Sequence, residues 1–142
     1  MFRAISDSVS LSHIGWAVAS LEEAMDSMAI LGFKPATQVC HDNERHVHLV
    51  ILKDTHNNTI ELVAPSTDAS PVSDILKRNG AVPYHTCFSV NGERWEEVKN
   101  ELCKKGFILL HKPAPAPLFN GKNVAFFYSK HIGLIEFIIN SD

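Results

Sequence analysis

Residues 11–18, "LSHIGWAV", alternate between apolar and polar or small positions and are bounded by polar segments. A two-residue period of this kind predicts a β-strand. The pattern then changes. Leu21, Ala24, Met25, Met28 and Leu31 recur at helical spacing over 20–30, with Gly32 just beyond. Ser20 is a good N-cap, Glu23 completes a capping box, and Gly32 suits the left-handed residue that closes a helix. Strands are predicted at 34–41 and 46–53, separated by the turn-rich "HDNER". "HNN" (56–58) reads as a hairpin turn into a strand at 59–64.

The same order of patterns then recurs. A strand is predicted at 84–90 and a helix at 93–104 carrying Trp95, Val98 and Leu102. Further strands follow at 107–111, 122–129 and 133–139. The match extends to individual residues. "SHIGWAVASLEEAMDSMAILGFKP" and "YHTCFSVNGERWEEVKNELCKKGFIL" both run from a His through a strand and an acidic amphipathic segment to Gly-Phe. "NTIELVAP" and "GLIEFIIN" both carry one Glu after Ile. His13 precedes Glu61 by 48 residues and His85 precedes Glu136 by 51. The chain therefore reads as two copies of one βαβββ unit. This predicts an α+β fold and a single domain over 1–142. Module one covers about 10–65 and module two about 83–140, with a linker helix at about 70–79 between Pro71 and Gly80. "KPAPAPLFNG" (112–121), with three alternating prolines, is predicted to be stiff and extended.

At 142 residues the chain is the size of one domain, with 45% hydrophobic and 20% charged residues. A net charge of −3 offers no basic surplus for phosphates, so nucleic acid is not an expected partner. No apolar run approaches the 18 or so residues of a membrane span, and "MFRAISDSVSLSHIG" has no apolar core of signal type. The three cysteines, Cys40, Cys87 and Cys103, are odd in number and lack CxxC spacing. That argues against a disulfide framework and for a cytoplasmic setting.

A lone His near a strand start is usually structural, and a lone Glu on a strand usually faces water. Glu136 stands among Leu, Ile and Phe and must be either half-exposed on an alternating strand or bound to a cation, because an unpaired buried carboxylate is costly. The coincidence of two His and two Glu at matched positions favours the cation. His13, Glu61, His85 and Glu136 form a donor set suited to a divalent ion such as Zn, Ni, Co, Mn or Fe, with two octahedral positions left for water or substrate. The remaining histidines, His41, His46, His48, His56, His111 and His131, lack such pairing. They read as surface or turn residues, although His46 and His48 share one strand face and can line a pocket.

"SHIGWAV", "IELVAP", "SPVSDILKRNG", "PYHTCFSV", "GKNVAFFYSK" and "GLIEFI" occur in the order and spacing of the vicinal oxygen chelate superfamily. That group contains glyoxalase I, methylmalonyl-CoA epimerase, extradiol dioxygenases and bleomycin-resistance proteins. Among these, the chain resembles the epimerase and small bacterial glyoxalase-I-like proteins over nearly its whole length. The resemblance implies two βαβββ modules curled around a metal cleft. It places the metal ligands at His13, Glu61, His85 and Glu136, with Zn, Ni, Co or Mn as cofactor. It implies a small-molecule substrate, no membrane partner, and a homodimer. The implied chemistry is proton abstraction next to a carbonyl through a metal-stabilised enolate, on a thioester or a hemithioacetal. Glu136 is the expected base. Glu44 falls where the epimerases carry a second acid, but "HDNE" departs from their wording, so a simple loop charge stays open. Lys112 and Lys122 can meet a CoA substrate, and the proline segment can border the cleft with Phe119 facing substrate. An extradiol-type dioxygenase is disfavoured because a fourth protein ligand leaves too few positions for catecholate and O₂. A non-catalytic antibiotic binder is disfavoured because such relatives dispense with the metal residues.

Overall fold

The computed structural model describes residues 4–141. Met1 to Arg3, part of the opening stretch read above, and Asp142 lie outside them. The described residues form an α+β fold with one mixed ten-stranded sheet and three α-helices. Strand β1 (Val9–Ala17) leads into helix α1 (Leu21–Ile30), two short strands β2 (Lys34–Pro35) and β3 (Cys40–Asp42), and the longer β4 (Val47–Lys53) and β5 (Thr59–Pro65). Helix α2 (Pro71–Asn79) follows. Then the order repeats as β6 (Val82–Asn91), α3 (Trp95–Lys104), β7 (Ile108–Leu109), β8 (Ala114–Pro115), β9 (Asn123–Ser129) and β10 (Gly133–Asn140). The hydrogen-bonded order is β2-β4-β5-β1-β6-β10-β9-β7, with β3 added on β4 and β8 on β9. β1 and β5 run parallel, as do β6 and β10. Among the described residues no helix is long and apolar enough to cross a membrane, and no disulfide forms.

Contacts divide the described residues into two compact units, His13–Tyr84, and those before His13 together with those from His85 onward. In the first unit, α1 covers one face of the sheet. Met28 packs with Val50, Leu52, Ile60 and Leu62, and Leu21, Ala24 and Met25 complete the contact. Ser20 Oγ accepts from the Glu23 N–H at 3.2 Å, the predicted cap. At the other end the Phe33 N–H donates to the Met28 carbonyl at 3.0 Å, and Gly32 takes φ +94°. Leu31 departs from the expected apolar stripe and is 69% exposed, because the helix has already closed before it. In the second unit, Trp95 and Val98 of α3 pack on Ala125, Phe127, Ile135 and Phe137. The closure is the same: Phe107 N–H to Leu102 carbonyl at 3.0 Å, with Gly106 at φ +91°.

Three expectations need correction. The strand at 34–41 is broken into β2 and β3. The Thr37 hydroxyl accepts from the Ile51 N–H at 3.1 Å, so a side chain replaces the backbone partner and the ladder ends. The strand at 107–111 shrinks to Ile108–Leu109. The proline segment is only partly extended. Ala114–Pro115 pairs with β9, and Pro117–Phe119 then turns as a 3-10 helix closed by Asn120 at φ +58°. The expected linker helix forms at Pro71–Asn79. Its Val72, Ile75 and Leu76 pack on Ala17, Val47 and Val63 of the first unit.

Candidate metal centre

The parallel strand pairs set the position of each candidate ligand. In the first unit Gly15 of β1 stands opposite Glu61 of β5; in the second, Cys87 of β6 stands opposite Glu136 of β10. Each of these partners lies two residues after the His. Residues two apart on a strand share a face, so His13 lies on the face of Glu61 and His85 on the face of Glu136. His13 Nε2 is 3.6 Å from Glu61 Oε1, and His85 Nε2 is 3.1 Å from Glu136 Oε1. The helices α1 and α3 pack on the opposite face, so the His–Glu face is the one left for chemistry.

Alternation on a half-exposed strand is excluded for both carboxylates. β5 lies between β1 and β4, and β10 between β6 and β9. Exposures are 3% for His13, 2% for Glu61, 4% for His85 and 5% for Glu136. Removing a carboxylate from water is tolerated only with charge compensation and hydrogen bonds. Each unit thus brings one buried imidazole against one buried carboxylate, and N/O donors of this kind suit a divalent first-row ion.

Around the two His–Glu pairs the surfaces are apolar. In the second unit Cys87, Ala116, Val124 and Ile138 are buried together, and Phe119 packs against them. Phe126, opposite Glu136 on β9, meets the His85 ring edge-on at 5.6 Å between centroids. In the first unit Ile51 occupies that position opposite Glu61. Cys40 lies opposite Leu49 on the Glu61 face. Burial pushes its thiol pKa up, with smaller contributions from the negative charges of Asp42 and Glu61.

Glu44 is exposed in the turn between β3 and β4. The buried acid of this stretch is Asp42, which accepts from the Arg45 backbone N–H at 3.1 Å and from Arg45 Nη1 at 2.8 Å, fastening the turn. His48 pairs across the strands with His41, on the face opposite Glu61, and His46 sits in the turn at φ +56°. These rings therefore do not line the Glu61 face. Lys122 Nζ donates to Asn140 Oδ1 at 2.9 Å, while Lys112 is exposed. Sequence reasoning passed over Phe126, whose ring lies 5.8 Å from that of His111, read as a surface residue and exposed here. The signal for Phe126 is the β9–β10 register, which a hairpin count from "KHIG" back to Phe126 would have supplied.

Residues 12–126 match the family described as the Glyoxalase/Bleomycin resistance protein/Dioxygenase superfamily. The mitochondrial methylmalonyl-CoA epimerase of Dictyostelium discoideum is 30% identical over 122 residues, 84% of this chain and 70% of that protein. Among solved structures, a hypothetical protein of Bacillus halodurans superposes with TM-score 0.81 at 25% identity, covering 95% of this chain and 96% of the other. The methylmalonyl-CoA epimerase of Streptomyces coelicolor, in complex with 2-nitronate-propionyl-CoA, superposes with TM-score 0.77 at 23% identity, covering 94% and 95%. This last likeness concerns the fold.

Proposed function

The chain belongs to the glyoxalase/bleomycin resistance protein/dioxygenase superfamily, and we propose that it is a metal-dependent isomerase or lyase that removes a proton from carbon next to a carbonyl. The substrate class is a thioester or a hemithioacetal, as for methylmalonyl-CoA epimerase or glyoxalase I. The observation that carries the reading is the pair of buried His–Glu contacts at one register in both modules. Four buried titratable groups favour a metal over a metal-free binding protein. The epimerase relative at 30% identity favours isomerase chemistry.

In this reading His13, Glu61, His85 and Glu136 hold one divalent ion. When bound, such an ion supplies a Lewis acid for the negative charge that develops on the substrate oxygen. Glu136 is the base: its carboxylate takes the α-proton and returns it to the same or the neighbouring carbon. His85 Nε2 lies 3.1 Å from Glu136 Oε1, and the edge-to-face contact with Phe126 holds the His85 ring in place. The apolar neighbours Ile138, Val124 and Ala116 keep water from the carboxylate. That strengthens its interaction with the reacting centre.

The test is solvent exchange. Protein loaded with metal and incubated in D₂O should place deuterium at the α-carbon of a methylmalonyl thioester or of a methylglyoxal hemithioacetal. Absence of exchange on both substrate classes, with the metal bound at one ion per chain, rejects the isomerase reading.

A further inference from the structure

One face of the second module carries several exposed apolar side chains. On β9 and β10, Tyr128 stands opposite Leu134, and Ile108 of β7 stands opposite Tyr128. The Leu110 N–H donates to the Phe126 carbonyl at 2.9 Å and continues the ladder. By the two-residue period, Phe126, Tyr128, Leu134, Ile108 and Leu110 all lie on the face of Glu136. Ile108 is 59% exposed, Leu110 52% and Tyr128 46%. Single exposed apolar residues are ordinary, but a contiguous group on one face marks a binding surface.

The first module provides an internal control. Its β2 and β4 pair in the corresponding register, Lys34 opposite Lys53, and the Ala36 N–H donates to the Ile51 carbonyl at 2.7 Å. Position for position, Ile51 matches Phe126, Lys53 matches Tyr128, Thr59 matches Leu134, Lys34 matches Ile108 and Ala36 matches Leu110. The backbone of this edge therefore does not require apolar side chains. Only the copy in module two has them, and they begin at Phe126, which touches the His85 ring and stands opposite Glu136. The occupant that this continuity selects is one molecule with its reacting end at the His85–Glu136 pair.

We propose that this stripe binds an apolar acyl or aryl substituent of the substrate, so that the preferred substrate carries a bulky hydrocarbon group beside its two neighbouring oxygens. The proposal rests on the metal-dependent reading above and narrows its substrate class. Each methylene that leaves water improves binding roughly fourfold.

Hydroxamic acids present two neighbouring oxygens to a metal and serve as probes that need no turnover. Binding of acetohydroxamate and octanohydroxamate to Co²⁺-loaded protein is measured by isothermal titration. Octanohydroxamate should bind about sixtyfold tighter if three of its six additional methylenes are buried. The double variant Ile108→Ser, Tyr128→Ser, at exposed positions where folding is not at stake, should bring the two probes within about threefold of each other. Lys34→Ser, at the matching edge of module one, should leave the full ratio. Equal affinities in the unsubstituted protein overturn the proposal, as does a chain-length ratio that survives the double variant. If the double variant instead turns a dimer into a monomer in sedimentation and leaves the ratio intact, the stripe belongs to a second copy and the proposal fails. Loss of metal dependence in acetohydroxamate binding rejects the metal reading itself, a different outcome from loss of the chain-length ratio.

Discussion

Module one covers the sheet face beyond Glu61 with helix α2, whose Val72, Ile75 and Leu76 pack on Ala17, Val47 and Val63. Module two covers the equivalent face beyond Glu136 with the proline segment, through Ala116 and Phe119 on Cys87, Val124 and Ile138. Towards the outer strands the contrast is one of polarity, lysines on β2 and β4 against Ile108 and Tyr128 on β7 and β9. Yet the His–Glu register, the Gly-Phe helix closure and the strand order are shared. The two copies thus agree in the register of the His–Glu pairs and differ in the side chains of the outer strands. Backbone hydrogen bonding constrains the first and tolerates almost any side chain at the second.

The largest test of this division is at the ligands. His13→Ala and His85→Ala should each abolish stoichiometric metal, measured by mass spectrometry on purified protein. If one variant keeps full occupancy, the modules are not equivalent donors. The carboxylates should then separate. Glu136→Gln should retain metal and hydroxamate binding while α-proton exchange falls by about 10²–10⁴, whereas Glu61→Gln should act mainly on metal affinity. Equal exchange losses at equal metal occupancy would erase the distinction between a base and a ligand.

Stability changes probe the opposite face. Trp95 is 7% exposed, with its ring 5.9 Å from those of Phe127 and Phe137, so Trp95→Ala should cost roughly 3–5 kcal/mol in denaturant unfolding. Met28, 8% exposed on α1, is the anchor of module one, and Met28→Ala should cost about 2 kcal/mol. A reversed order would mean that α1 rather than α3 is the better-packed helix. The helix starts differ more subtly. Ser20→Ala removes a cap bond and should cost about 1 kcal/mol. Arg94 makes no side-chain cap, and its exposed contact with Glu97 predicts at most about 0.5 kcal/mol for Arg94→Ala.

The smallest expected effect is a pH dependence. Burial first, then Asp42 and Glu61, raise the pKa of Cys40. The folded protein therefore holds that proton to higher pH than the unfolded chain does. The stabilisation is present below the ordinary thiol pKa and declines as pH rises above it. Iodoacetamide should accordingly modify exposed Cys103 of module two faster than Cys40 of module one, as read by peptide mass spectrometry near pH 8. Equal rates would show that the Cys40 thiol is not held in its protonated form.

Much of this molecule is written locally. The alternation of "LSHIGWAV", the Ser20–Glu23 capping box and the glycines at 32, 80 and 106 act over four or five residues, and each lies where the structure uses it. The pairing of His13 with Glu61 and of His85 with Glu136 is readable as well, because a repeated unit keeps its spacing. Where the sequence misled, the deciding contact was distant. Thr37 ends a strand by reaching Ile51, and Phe119 is turned by a 3-10 bend onto a buried cluster. Leu31 has the periodicity of a core residue but lies past the helix closure.

The two-module order, the helix boundaries and the four ligand candidates are legible in the chain alone, since propensity and capping act between neighbouring residues and a repeated unit keeps its spacing. Only the tertiary structure decided that both Glu residues lie on interior strands at 2% and 5% exposure, and that Ile108, Leu110 and Tyr128 join Phe126 on the Glu136 face. Burial and cross-strand neighbours depend on register between strands far apart in the chain. A shift of one residue in that register would have turned each of these side chains to the opposite face.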